Sequence, residues 1–428
     1  MYWPDTQTEL KPLKSVTRLN PESLSETTNP DFRFDYIDIG SVVYGKGITT
    51  KQSVTFSDAP SRARKLVREN DLIISTVRTY LRAIARIGRE DDKNIASTGF
   101  AVCRPVSGVD PTFLFYAVHS QPFIEEVVAR STGISYPAIN PSTLGDIKLP
   151  VPSEEDQVAI ARYLERETGL IDGLIEKKTR FIALLKEKRA AVITHAVTKG
   201  FDPDAPTKDS GEAWIGEIPV HWEVKPLRAF FNFRNEKNDP VKTENILSLS
   251  IAHGVTPYTE EGRGGNKSKD DLTAYKIAHE GDIVLNSMNV IVGAVGRSKY
   301  YGAISPVYYS LYPKNDDVYV PFFEKIFMNS GFQKGLLRFG KGILMKISGT
   351  GQMNTIRMKI SQDDLRTVRF PVPPHEEQVE IARQIEHEVS RIDGLIALTE
   401  RSIDLLREKR SALITAAVTG KIDVRRAA

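Results

Sequence analysis

The chain has 428 residues, 40% apolar and 26% charged, with 58 Lys and Arg against 55 Asp and Glu for a formal net charge of +3. That length predicts two or three domains with sizeable cores, and the composition excludes a disordered, fibrous or polybasic chain. A single cysteine, Cys103, excludes a disulfide framework and a thiolate-rich zinc site, and no run of about 18 apolar residues offers a bilayer span. No membrane association and a cytoplasmic location are the expectations.

The opening stretch MYWPDTQTELKPLK has no apolar core of a signal segment. From Leu66 to Ile87 a Glu-Asn-Asp turn leads into a β-branched, strand-like run in which Arg78, Arg82 and Arg86 alternate with Tyr80. A second strand follows at Ile95 to Pro105 and helical segments at Pro111 to Ala129. The loop RSTGISYPAINPST (130–143) then combines hydroxyls such as Ser135 with Tyr136, Asn140 and the flexible Gly133.

The next segment predicts a long helix. Pro150-Val151-Pro152 gives a stiff, non-helical approach; Ser153 suits an N-cap; Glu154, Glu155 and Asp156 complement the helix dipole; Gly200 suits the stop. Leu164, Ile171, Leu174, Ile175, Ile182, Leu185, Val192 and Ile193 form a stripe for a partner helix. About 45 residues at 1.5 Å each make a rod of ~65–70 Å. This segment is written twice. PVPSEEDQVAIARYLERETGLIDGLIEKKTRFIALLKEKRAAVITHAVT (150–198) recurs as PVPPHEEQVEIARQIEHEVSRIDGLIALTERSIDLLREKRSALITAAVT (371–419), about 220 residues on, with roughly three positions in five identical. The second stripe is Ile385, Ile392, Leu395, Ile396, Ile403, Leu406, Leu413 and Ile414. Gly173 and Gly394 share one register inside IDGLI; a helix-interior glycine costs about 1 kcal/mol, so its repetition predicts a close approach of two backbones. The charged EKR triplets at 187–189 and 408–410 read as solvated surface with a possible second use in docking a partner.

Between the repeats, 200–222 is rich in Pro, Gly and Asp and reads as a linker laid on a surface. The region after it echoes the first: IAHEGDIVLNSMNVIVGAVGRS (277–298) parallels 66–87, and AISPVYYSLYP (303–313) parallels 95–105. A helical segment follows at Pro321 to Leu337. NSMN, with Asn286 and Asn289, and RFGKGILMKISGTGQMN (338–354), with Arg338, Lys341 and Lys346, occupy the places of the first half's loops.

A search for catalytic motifs finds none that holds. GSVVYGKG (40–47) and GLLRFGKG (335–342) approach a phosphate-binding loop, but Gly stands where the magnesium-binding hydroxyl belongs. Pro203-Asp204 with Glu223-Val224-Lys225 imitates a nuclease pattern inside the linker, and seven scattered histidines give no ligand spacing. What remains is nucleic-acid character: Arg and Lys neutralise phosphates, while Asn, Ser and Arg match base edges. The DNA-contact candidates are Arg78, Tyr80, Arg82, Ser135, Tyr136 and Asn140 in the first half and Asn286, Asn289, Arg338, Lys341 and Lys346 in the second. The candidates for helix packing are Leu164, Ile171, Leu174, Leu185 and Val192 with Ile385, Ile392, Leu395, Leu406 and Leu413.

YIDIGSV (36–42), WIGEIPVHWEVKPL (214–227) and the doubled PVP–Q–IA–IDGLI–EKR–AVT helix together resemble the specificity (S) subunit of Type I restriction–modification systems, over essentially the whole chain. The first half departs from the pattern, offering only ELKPLKSVTRL (9–19) against EVKPLRAFFNF (223–233). The resemblance implies an α+β fold: two target-recognition domains joined by two long antiparallel helices forming a coiled-coil-like spacer, with pseudo-two-fold symmetry. The expected parts are a first recognition domain at 1–149, a spacer helix at 150–199, a linker at 200–222, a second recognition domain at 223–370, and a second spacer helix with tail at 371–428. It further implies a non-catalytic subunit that binds double-stranded DNA at a split site. Partners would be two adenine-N6 methyltransferase (M) subunits and restriction/translocase (R) subunits, with S-adenosylmethionine, ATP and Mg on those partners and no cofactor in this chain. The alternatives are a coiled-coil scaffold without a nucleic-acid role and an enzyme with an unrecognised active site.

Overall fold

The computed structural model describes residues 8–251, 253–259, 271–290, 293–340, 346–347, 353–354 and 359–425, with the backbone alone at 346–347 and 353–354. Two compact units emerge: Met1–Arg180 with Thr399–Ala428, and Phe181–Leu398. The division falls inside both long helices, Glu154–Lys199 and His375–Val418, so each helix contributes one part to each unit.

In the first unit, the strands Thr17–Leu19, Phe100–Pro105, Leu72–Ser75 and Ile84–Arg86 form an antiparallel sheet in that spatial order. A second sheet runs Gln52–Thr55, Arg33–Ile37, Ile95–Ser97 and Ala63–Leu66. Leu72, Ile73 and Ile74 are all buried, because the central strand is covered on both faces. The Glu-Asn-Asp turn ahead of it does more than reverse the chain. Asp71 is fully buried and takes a bidentate pair from Arg104, with Nε to Oδ1 at 2.8 Å and Nη2 to Oδ2 at 2.9 Å. Glu22 joins the cluster through Arg68 and Arg104, whose hydrogen bonds hold its carboxyl down to about 2.

The second unit repeats the main sheet: Phe231–Arg234, Tyr308–Pro313, Ile283–Asn286 and Val295–Arg297, again antiparallel. Asp282, in the Glu-Gly-Asp turn, is also buried and pairs with Arg234, Nε to Oδ2 at 2.6 Å. In the first unit the cation stands on the adjacent strand, Phe100–Pro105, and here on the edge strand, Phe231–Arg234, so the buried carboxylate recurs while its partner changes place. The stretch 200–222, read from sequence as a linker, carries a hairpin (Thr207–Asp209 with Glu217–Pro219) and sinks Ile215, Ile218 and Trp222 into this unit's core.

The helix repeat explains itself in packing. Ile160, Ala161 and Leu164 share the first unit's core with Ile414, Ala417 and Val418. Their counterparts Ile381, Ala382 and Ile385 share the second unit's core with Ile193, Ala196 and Val197. Each buried Leu, Ile or Val contributes about 1.5–3 kcal/mol of transfer free energy. Polar pairs fix the antiparallel register. Asp172 of IDGLI binds Arg410 of the second EKR at 2.9 Å in the first unit, and Arg189 of the first EKR meets Asp393 of the second IDGLI at 3.0 Å in the second. The arginines of the EKR triplets are therefore structural, leaving Glu187, Lys188, Glu408 and Lys409 to solvent.

Two expectations change. A Cβ added to Gly173 or Gly394 would meet nothing within 4 Å, so no backbone approaches these glycines among the described residues. Leu174 and Leu395 are 47% and 41% exposed. The reason is a rotated seam. The buried rows are Leu164–Ile171–Leu185 and Ala161–Thr168–Ile182, offset by three residues along the helix, and the row through Leu174 and Phe181 faces outward. Ile385, Ile392 and Ile403 follow the same rows in the second helix, with Val192, Leu406 and Leu413 half-buried.

Gln157 and Gln378, identical in both repeats, anchor each helix start. Gln157 accepts from the Asp110 backbone N–H at 2.9 Å and donates to the carbonyls of Gly108 and Pro152. Gln378 accepts from the Tyr319 N–H at 3.0 Å and donates to the carbonyls of Asp317 and Pro373. Both are buried, so Gln157→Ala strands a backbone donor and two acceptors and should cost ~1–3 kcal/mol in urea unfolding. The exposed neighbour Glu155→Ala should stay within about 0.5 kcal/mol. Equal, small effects would refute the anchoring role.

Candidate nucleic-acid interface

Six sequence-predicted residues of the first unit meet on one surface formed by loops 76–82 and 131–140. Backbone hydrogen bonds knit the loops: Arg78 N–H to the Pro137 carbonyl at 2.7 Å and Ile139 N–H to the Thr76 carbonyl at 2.9 Å. The hydroxyls of Thr79 and Ser131 add a bond at 2.8 Å, and Ser75 Oγ caps the turn by donating to the Val77 carbonyl at 2.6 Å.

Arg78 and Arg82 flank a single 3-10 turn, Thr79–Leu81, and both are left-handed, with φ of 50° and 51°. Left-handed backbone at residues bearing a Cβ costs on the order of 1–3 kcal/mol each and gathers at functional sites. What the strain achieves is display: Tyr80 is 54% exposed and Leu81 stands beside it in solvent. The Arg78 guanidinium lies 4.8 Å from the ring centre of Tyr136, and that of Arg82 lies 5.6 Å from Tyr44. Stacking on aromatics pre-orders a planar fork without neutralising it. Among the described residues no carboxylate pairs with Arg78 or Arg82, whereas Arg86, the third arginine of the alternation, is bonded to Thr112 and lies 3.9 Å from Glu165. Ser135 and Asn140 are exposed, and Asn140 precedes the short helix Pro141–Gly145 without spending its side chain on a cap.

The second unit's candidates are arranged differently. Asn286 uses its side-chain oxygen to accept the Met288 N–H at 3.0 Å, and the Asn289 N–H closes the same turn onto the Asn286 carbonyl. Both asparagines are half-buried. Arg338 is exposed but pairs with Glu212 at 2.9 Å and stacks on Phe339. Lys341 lies outside the described residues, and Lys346 is described by its backbone, which pairs with Asn354. Tyr44 and Ile134, absent from the sequence-derived candidates, belong to the first surface. Tyr44 sits in the glycine-rich GSVVYGKG segment, which is a hairpin turn (Val42–Val43 with Gly47–Ile48) rather than a phosphate loop. Among the described residues no group of three His, Cys, Asp or Glu is placed to hold a metal, and no helix is long and apolar enough to cross a membrane.

Residues 11–180 match the Type I restriction modification DNA specificity domain. The putative type I restriction enzyme MjaX specificity subunit of Methanocaldococcus jannaschii is 25% identical over 325 residues, covering 74% of this chain and 69% of that protein. The EcoDI specificity subunit of Escherichia coli is 20% identical over 329 residues, covering 72% and 70%. Among solved structures, a chain from work on complex assembly and conformational transition of the type I R-M system superposes with a TM-score of 0.72 at 21% identity, covering 98% of this chain and 99% of that one. The HsdS subunit of Thermoanaerobacter tengcongensis gives 0.51, also at 21% identity, with 97% of each covered. Residues 11–180 thus carry a Type I restriction modification DNA specificity domain, and over about three quarters of its length the chain is similar to specificity subunits of Type I restriction enzymes, with a fold shared with the solved chains.

Proposed function

We propose that the first unit reads one part of a split DNA site through loops 76–82 and 131–140, and that the second unit reads the other part. The observation that carries this is the pair of strained, unneutralised arginines, Arg78 stacked on the exposed Tyr136 and Arg82 on the half-buried Tyr44. Two weak readers in one polypeptide gain affinity by linkage when their separation suits the DNA. The spacer helices supply that linkage, since each runs unbroken through residues of both units.

Methyl transfer and restriction then fall to partners: adenine-N6 methyltransferase subunits using S-adenosylmethionine, and ATP- and Mg-dependent restriction/translocase subunits. The outward helix rows suggest where methyltransferases dock. Leu170, Leu174 and Leu405 are exposed in the first unit; Phe181, Leu184, Leu395 and Leu398 are exposed in the second. Leu174 corresponds to Leu395 and Leu184 to Leu405 in the repeat, so two copies of one partner would find equivalent faces. Such a complex works where the chromosome is, in the cytoplasm.

Two experiments test the reading. Exchange of residues 20–149 for the corresponding region of another specificity subunit should change one half of the methylated sequence and leave the other intact; a change in both halves would contradict the division of labour. Leu174→Glu with Leu395→Glu should abolish co-purification of the methyltransferase while leaving the fold, judged by circular dichroism and melting, unchanged. Retained co-purification would move the docking face elsewhere.

A further inference from the structure

We propose that Ile134 reads the 5-methyl group of a thymine in the first half of the recognised DNA, approached through the major groove. The inference rests on the reading of loop 131–140 as DNA-facing. Thr132 and Ala138 exchange both backbone hydrogen bonds at 2.9 Å, closing the base of a narrow finger, and Val77 bridges to Ala138 beside it. Gly133 turns the chain with φ of 106°, and a Cβ there would lie 3.1 Å from the Tyr136 carbonyl oxygen. This tight turn lifts Ile134 to the tip, where its relative exposure is 103%.

A fully solvated Ile leaves apolar surface in water, and its β-branch restricts χ1, so a contact there loses little side-chain entropy. Its immediate surroundings are polar: Thr132, Ser135 and the Arg78–Tyr136 stack. Tyr80 and Leu81 are exposed on the neighbouring loop, but at the tip of the finger Ile134 is a single aliphatic side chain among hydrogen-bonding and cationic groups, which fits one small apolar group set in polar surroundings. On the edges of base pairs the thymine methyl is the apolar group, and it stands in the major groove among the acceptors and donors that Ser, Asn and Arg match.

The test uses the complex of this chain with its methyltransferase partner and duplexes carrying the site found by methylation mapping. Each thymine of the first half, on either strand, is replaced singly by deoxyuridine, which removes only the methyl. At one position the wild-type complex should bind about three- to five-fold more weakly, the loss expected for one buried methyl. Ile134→Ala should lose a similar factor on thymine DNA and become indifferent to deoxyuridine at that position. The proposal is overturned if no first-half substitution affects the wild type, if Ile134→Ala retains the same deoxyuridine sensitivity, or if it binds as tightly as wild type. A uniform loss in Ile134→Ala without any deoxyuridine effect would also overturn it, in favour of a wedge between base steps. Arg78→Ala separates the two levels: weakened binding in that variant keeps the loop as a DNA surface whatever Ile134 does, and unchanged binding in Arg78→Ala and Ile134→Ala together removes the loop reading itself.

Discussion

Everything in this molecule depends on antiparallel pairing of the two copies of one helix sequence. Each recognition unit takes the start of one helix and the end of the other into its own core, Ile160, Ala161 and Leu164 with Ile414, Ala417 and Val418 in one case and their repeat counterparts in the other. Neither unit is complete without residues from both helices. The Asp172–Arg410 and Asp393–Arg189 pairs set the register, because an apolar seam alone tolerates slippage while a charge pair with a partly buried arginine does not. Gln157 and Gln378 then fasten each helix start to its recognition unit.

The readers are free to differ because the helices carry the shared architecture. Both sheets keep the same four-strand order, and both keep a buried aspartate in the turn before the central strand. The loops above that frame diverge. In the first unit strained arginines and a hairpin finger make one displayed surface; in the second, Asn286 and Asn289 are folded into a turn and Arg338 is paired with Glu212. A shared scaffold with divergent loops lets one chain present two different surfaces.

Much of this was legible in the residues. The repeat gave the helices, the parallel between 66–87 and 277–298 gave the matching sheets, and the Arg–Tyr alternation gave the first surface. Other features needed three dimensions. Heptad spacing assigns Leu174 and Leu395 to a seam, but spacing cannot say which two of three apolar rows are buried; the rows through Ala161 and Leu164 are the buried ones, and the leucines face out. The EDQ and EEQ motifs looked like helix starts because acidic residues suit a dipole, and nothing local marked Gln157 as a buried clasp to Asp110. EKR looked solvated because the partners of Arg189 and Arg410 lie about 200 residues away in sequence. Ile134 was invisible for the opposite reason: an isolated Ile beside Gly reads as packing until its complete exposure is seen.

The central claim is that the spacer helices set the distance between two independent readers. It is tested most directly by inserting one heptad, in register, after Arg180 in the first helix and after Leu398 in the second, then mapping methylated adenines in cells carrying the altered chain. The account predicts the same two half-sequences separated by a longer unread gap. Altered half-sequences with the original gap would contradict it.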